Sequence, residues 1–191
     1  MVGLMPHILA NLMVLYEYSD DSIKDKWGKR MKVDYINPVL IASSKIIKIL
    51  IQEDITLGRL SLLDNHEIAN SLAIIMWMNG DFEGRFLFAI KRNVALHIAG
   101  MMMGEEIKEL NQMAKSALAE LATMILGRTG IIFSERGIDV KITYPTLVEG
   151  DSIYISALNQ RKRSIINIPL IMSHGNVIDM KIESSELIRG S

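Results

Sequence analysis

Cysteine is absent from the 191 residues, which excludes disulfides, thiolate metal sites and cysteine nucleophiles together. Proline is scarce, with four residues, and the thirteen glycines show no period, so the chain is neither collagenous nor linker-like. No charge of one sign dominates. Twenty-one basic and 22 acidic residues leave a formal charge of -1, so the whole chain carries no electrostatic footprint for nucleic acid. Long apolar runs are missing as well. Ile8 to Tyr16 is interrupted by Asn11 and falls far short of the roughly 20 residues that span a bilayer. It also makes a poor secretory signal, with only His7 to offer charge ahead of it and no small-residue cleavage site behind it. These absences point to a cytoplasmic protein without membrane or nucleic-acid partners. The residues present are ordinary globular material, 49% apolar and 23% charged, enough for one domain with a core of its own.

Catalytic signatures are also few. The four histidines, His7, His66, His97 and His174, have no second histidine or carboxylate at the helical spacing of a zinc site, and read as surface or satisfied side chains. There is no nucleophile elbow, no P-loop and no dinucleotide fingerprint. The glycines at 127, 130 and 137 follow a helical segment rather than open one, so they form no phosphate cradle. Arg161-Lys162-Arg163 reads as a solvated turn, with an acidic partner as the sharper alternative. The 13 methionines read as core filling.

Met1 to Arg30 differ in texture from the rest of the chain. An apolar run gives way to Ser19-Asp20-Asp21-Ser22 and then to Lys24, Lys26, Lys29 and Arg30. This suggests an N-terminal extension (1–30) packed on a domain (31–191), or a start codon placed too far upstream, with a docking arm or membrane-touching helix as the alternative. Asn37 and Pro38 are suited to cap and open a helix running to Leu50. Ile55–Leu63 alternates as a strand, and Asp64-Asn65-His66-Glu67 reads as a polar break. Ser71–Met78 and Arg85–Ile90 flank Asn79-Gly80-Asp81, a hairpin signal. Val94–Met103 reads as a short helix stopped by Gly104. Ile107–Phe133 reads as a long helix with a core stripe of Ile107, Leu110, Ala114, Ala117, Leu121 and Ile125.

The remainder alternates as strands. Val140, Ile142 and Tyr144 lead to Pro145. Ser152–Leu158 follows an expected turn at Glu149-Gly150-Asp151, and Asn159–Lys162 is polar. Ser164–Met172 and Val177–Ile182 flank His174-Gly175-Asn176, a second hairpin signal, and Pro169 points to an edge or a bulge. The two halves repeat one pattern, a helix, a strand and then a meander. The expected fold is α+β, an antiparallel sheet with long helices covering one face.

On the long helix Ser116, Glu120, Thr123 and Gly127 recur at i, i+4, i+7 and i+11, which places them on one polar face. By pattern alone this is the solvated side of an amphipathic helix. The stretch from Ser116 to Gly127, SALAELATMILG, nevertheless resembles the signature helix of the CheC/CheX/FliY family of chemotaxis phosphatases, in which a Glu and, three residues on, an Asn precede Met-Ile-x-Gly. The resemblance continues through Gly137-Ile138-Asp139 and Ile142–Gly150, and more loosely through Met78–Arg85 and Ala95–Ile107. It spans about residues 34–184.

That resemblance implies two pseudo-repeats and an antiparallel sheet covered by two long helices, in a family whose CheX members are often homodimers. It implies a CheY-like response regulator as partner and hydrolysis of that partner's aspartyl phosphate, with the divalent metal supplied by the partner and no cofactor bound by this chain. By the same resemblance Glu120 is the acidic catalytic residue that pairs with a receiver lysine. Thr123 stands at the position of the water-orienting Asn, and Ser116 and Gly127 line the docking face. Thr for Asn is a departure, because the hydroxyl is shorter and sits on a stiffer, β-branched side chain. The alternatives are therefore a weak or inactive receiver-binding module of the same fold, or a structural relative of flagellar switch proteins. The first-half helix, Ala42–Lys48, has no Glu-x-x-Asn, so one site per chain is expected.

Overall fold

A computed structural model describes residues 33–63, 65–156 and 164–184. The expected extension (1–30) and the basic run at 161–163 lie outside the described residues. In chain order the elements are α1 (Val33–Ile51), β1 (Ile55–Leu57), β2 (Ser61–Leu63), β3 (Asn65–Gly80), β4 (Gly84–Lys91), α2 (Arg92–Met103), α3 (Gln112–Ser134), β5 (Val140–Ile142), β6 (Thr146–Ser156), β7 (Ser164–Met172) and β8 (Val177–Ser184). The strands form one eight-stranded sheet in the order β1-β7-β8-β4-β3-β5, with β2 also on β7 and β6 also on β3. Every pairing is antiparallel.

The duplication expected from the pattern is a pseudo-twofold of pairing. The β4–β8 contact lies at the centre. On one side the first half's β1 and β2 pair with the second half's β7; on the other, the second half's β5 and β6 pair with the first half's β3. Each half thus completes the other's sheet.

Alternation decides which face is core. Even-numbered positions, among them Leu72, Ile74, Met76, Phe86, Phe88, Ile168, Met180 and Ile182, join the helices in one buried cluster, as strand periodicity requires. All three described helices lie on this face. α1 supplies Ile36, Val39, Ile47 and Ile51; α3 supplies Leu118, Leu121, Ile125 and Phe133. Phe82, from the turn after β3, is fully buried at the centre of an aromatic group, with ring centroids 4.8 Å from Tyr35, 5.7 Å from Phe133 and 6.2 Å from Phe86.

The opposite face is smaller. Ala73, Leu87 and Ala89 form a second buried cluster with Ile75 and Ile153. Its roof follows from connectivity. Leu63 pairs with Ile165 on β7, and β3 begins two residues later at Asn65, yet β3 ends beside β4, three strands across the sheet. The ribbon of early β3 and late β6 therefore crosses this face, and Ile153 of β6 rests on it.

Both Gly-containing hairpins form as expected. Gly80 has φ +135°, and a Cβ there would come within 2.3 Å of the Asp139 carbonyl oxygen, so only glycine fits. Several boundaries differ from expectation. α1 begins at Val33 rather than at Pro38, because the buried Ile36 and the stacking of Tyr35 on Phe82 hold the earlier turn. The strand expected over 55–63 is two strands, parted at Gly58, whose N–H donates to Pro169 O at 2.8 Å. Pro169, which has no N–H to give, faces that interruption. Of the break expected at Asp64–Glu67, the described residues Asn65–Glu67 are instead the start of β3, and the turn expected at Glu149-Gly150-Asp151 is continuous β6. The long helix starts at Gln112, not Ile107, because the Asn111 side chain caps it by accepting from Ala114 N at 2.9 Å. Ile107 and Leu110 precede the helix, and Ala117 is only half-buried.

Candidate functional site

α3 buries Ala114, Leu118, Leu121, Ala122, Ile125, Leu126, Thr129, Ile132 and Phe133. That apolar arc turns the opposite side outward, and the candidate residues lie there. Ser116 and Glu120 are exposed, and Thr123 and Gly127 are half-buried. The helix is also the one described element long and apolar enough to cross a membrane by length and composition, but much of its apolar surface is core.

Glu120 has no ion pair or hydrogen bond among the described residues. Its charge is uncommitted. Ser116 Oγ donates to Gln112 O at 2.9 Å, and Thr123 Oγ1 donates to Ala119 O at 2.9 Å. The back-bond uses the only hydroxyl proton of Thr123, so its oxygen faces outward as an acceptor alone. An Asn amide in its place offers both a donor and an acceptor at longer reach. A Cβ at Gly127 would meet nothing within 4 Å. This chain's packing therefore leaves the space beside Gly127 open for a group from outside. Together the four residues form a shallow strip with an unpaired carboxylate, an acceptor hydroxyl one turn further on, and bare backbone beyond.

Two carboxylate-centred tethers tie the helices to the rest of the fold. Glu149 Oε1 accepts from Arg92 Nη1 at 2.7 Å and its Oε2 from Lys115 Nζ at 2.6 Å. This joins β6 to the first turns of α2 and α3 and explains why Glu149 stays in a strand. The hydrogen bond from Lys115, ahead of the contribution of Arg92, holds the carboxyl below its usual pKa despite some desolvation.

The second tether was not legible from local spacing. Glu53, 5% exposed, accepts from His97 Nε2 at 2.7 Å and lies 3.3 Å from His174 Nδ1. It joins the end of α1 to α2 and to the β7–β8 turn. Two of the histidines, expected to be surface or satisfied side chains, thus share one carboxylate. His97 is 44 positions from Glu53, so no within-element pattern could find it. Among the described residues no group of three such side chains could hold a metal ion.

Burial raises the Glu53 pKa, but the hydrogen bond to His97 and the nearby His174 outweigh it, so the value lies below its ordinary 4.5. The ionised form therefore favours the fold above about pH 4.5, and this contribution is lost as pH falls through the depressed value. Glu53→Gln is expected to lower unfolding free energy at pH 7 by about 1–3 kcal/mol. The gap from wild type should shrink toward pH 3, as urea titrations at the two pH values would show.

The likeness to known proteins spans the same helix, α3. Residues 72–169 match the family model described as chemotaxis phosphatase CheX, a span that contains all of α3. The chain belongs to the CheX family. Over 101 residues it is 32% identical to the CheY-P phosphatase CheX of Thermotoga maritima, a match covering 52% of this chain and 65% of that protein. A CheC-like superfamily protein from Shewanella sp. PV-4 superposes with a TM-score of 0.72 at 20% identity, covering 84% of this chain and 100% of that one. The CheX of a CheX–CheY complex with BeF3 and Mg2+ from Borrelia burgdorferi superposes with a TM-score of 0.66 at 22% identity, covering 83% and 100%. These structures establish the CheC/CheX fold, an antiparallel sheet flanked by helices, as expected from the sequence.

Proposed function

We propose that the exposed strip of α3 docks on a phosphorylated CheY-like receiver domain and promotes hydrolysis of its aspartyl phosphate. The observation that carries this reading is the free Glu120 carboxylate, exposed one turn before Thr123 on the helix that the CheX model matches. An unpaired acid on a rigid helix is suited to a cation of a partner, here the lysine beside the receiver's phosphorylated aspartate. A divalent cation, which neutralises phosphoryl charge in such chemistry, belongs to the receiver. This chain contributes position. Thr123 Oγ1 accepts a hydrogen bond from a water and so turns one of that water's lone pairs toward phosphorus. Phosphoryl transfer depends chiefly on such placement and on charge stabilisation.

The committed proton of Thr123 favours a second reading, a receiver-binding module with little hydrolysis. Phosphate release from a phosphorylated CheY separates the two. Wild type is expected to accelerate release, and Thr123→Asn to accelerate it about tenfold further. Tight binding with acceleration only in Thr123→Asn selects the binding module. No binding and no acceleration by either protein overturns both readings.

Gly127 offers a check with opposite signs. Gly127→Leu is expected to stabilise α3 by roughly 0.5–1 kcal/mol, the propensity difference, while filling the open space and weakening receiver binding at least about tenfold. Thermal unfolding and titration of the receiver would read the two effects separately.

A further inference from the structure

Tyr144 stands out among the exposed side chains. It is 94% exposed, yet its backbone is held on both sides. Thr143 N donates to Trp77 O at 3.0 Å, Trp77 N donates to Thr143 Oγ1 at 2.9 Å, and Pro145 restricts the φ/ψ range of Tyr144 itself. A large aromatic ring is thus presented to solvent by a fixed segment, the form in which Tyr contributes most to binding at least entropic cost.

Its place follows from how β5 leaves α3. Ile138 N donates to Phe133 O at 3.0 Å, and the chain then runs back along the helix. A Cβ on Gly130 would lie 3.2 Å from Ile142 Cδ1 and 3.7 Å from Val140 Cγ2. Two residues beyond Ile142, extended chain runs about 6–7 Å further. One helical turn from Gly130 toward Thr123 covers about 5.4 Å. Tyr144 therefore flanks the turn of α3 that carries Gly127. Ile131, 50% exposed, is four residues from Gly127 on the same side of the helix. The open space at Gly127 thus has an aromatic and an aliphatic side chain at its margin and the Glu120 charge beyond.

We infer that Tyr144, with Ile131, forms an apolar docking rim that sets affinity and selectivity for the receiver domain, beside the charged contact of Glu120. This rests on the proposed receiver-binding function. The strip alone offers one charge and two small polar groups, too little apolar surface for a specific complex. The rim adds that surface where the site continues past Gly127, and it fits a partner that presents an apolar patch next to its lysine.

The test is titration of BeF3-activated CheY into wild type, Tyr144→Ala, Tyr144→Phe, Ile131→Ser and Glu120→Gln, with phosphate-release kinetics on the same proteins. Tyr144→Ala is expected to weaken binding about tenfold. It should raise the half-saturating receiver concentration more than it lowers the rate at saturation, and Tyr144→Phe should restore most of the affinity because the ring makes the contact. If Glu120→Gln weakens binding and Tyr144→Ala does not, the rim is overturned while the proposed function stands. If wild type binds no receiver, both fall. A concentration-dependent dimer lost in Tyr144→Ala, with receiver affinity unchanged, would assign the ring to a second copy and overturn the inference.

Discussion

Glu120→Ala is expected to reduce receiver dephosphorylation about a hundredfold, with no change in thermal stability. The carboxylate is exposed and has no partner among the described residues, so its removal costs the fold nothing, and Ala has the better helix propensity. The loss falls wholly on the complex. Docking encloses the acid and the receiver lysine and leaves the lysine unpaired in the variant. Truncating one partner of a desolvated charge pair costs about 2–5 kcal/mol, and a hundredfold corresponds to about 2.7 kcal/mol. Glu120→Gln keeps the shape but loses the charge, and should recover only a small part of the activity. Both variants should remove most of the ionic-strength dependence of association, because the salt-sensitive contact is gone. Single-turnover decay of the phosphorylated receiver at low and high salt would check all of this. A Glu120→Ala protein as active as wild type would separate this helix from the chemistry.

The second large effect is on stability. Phe82→Ala is expected to cost about 3–5 kcal/mol, which for a chain of this size lowers Tm by roughly 10 °C or more. Phe82 is fully buried and touches three aromatic rings from three elements, Tyr35 of α1, Phe86 of β4 and Phe133 of α3. It also lies against Gly84, where a Cβ would meet its Cε1 at 2.6 Å, so the turn closes tightly on the ring and cannot readily collapse into a void. Phe133 lies near the C-terminal end of α3, one turn beyond Gly130. Loss of the ring should therefore also loosen the end of the helix on which β5 and Tyr144 depend. Differential scanning calorimetry would give the first effect and hydrogen exchange at residues 130–134 the second.

How much of this could be read from the residues alone depended on the range of the forces concerned. Turn chemistry is local, and both Gly-containing hairpins were legible. Helical periodicity is local too, and the strip from Ser116 to Gly127 emerges on the outer side of α3 as expected. Its association with phosphoryl chemistry came from family resemblance, since the spacing by itself describes any solvated helix face. The features that escaped depended on partners distant in sequence. Glu149-Gly150-Asp151 has the composition of a turn, but cross-strand pairing with β3 and the cations Arg92 and Lys115 keep it extended. Asn65–Glu67 looks like a break and becomes strand because β6 pairs with it. Glu53 carries no signature of its own and acquires one when α2 and the β7–β8 turn deliver His97 and His174. The start of α3 is a different case, since Asn111 is a capping residue in plain view and marks the boundary better than the apolar stripe does.

The exchange of strands between the two halves bears on how the polypeptide can be made. While residues 33–91 emerge from the ribosome, β1 and β2 have no neighbour to bond with, because theirs is β7, about a hundred positions later in synthesis. A nascent chain halted after α2 would thus display raw sheet margins, a state prone to aggregation and to capture by chaperones. Cut in the segment between α2 and α3, the chain should yield two pieces that are each unfolded alone and that assemble on mixing.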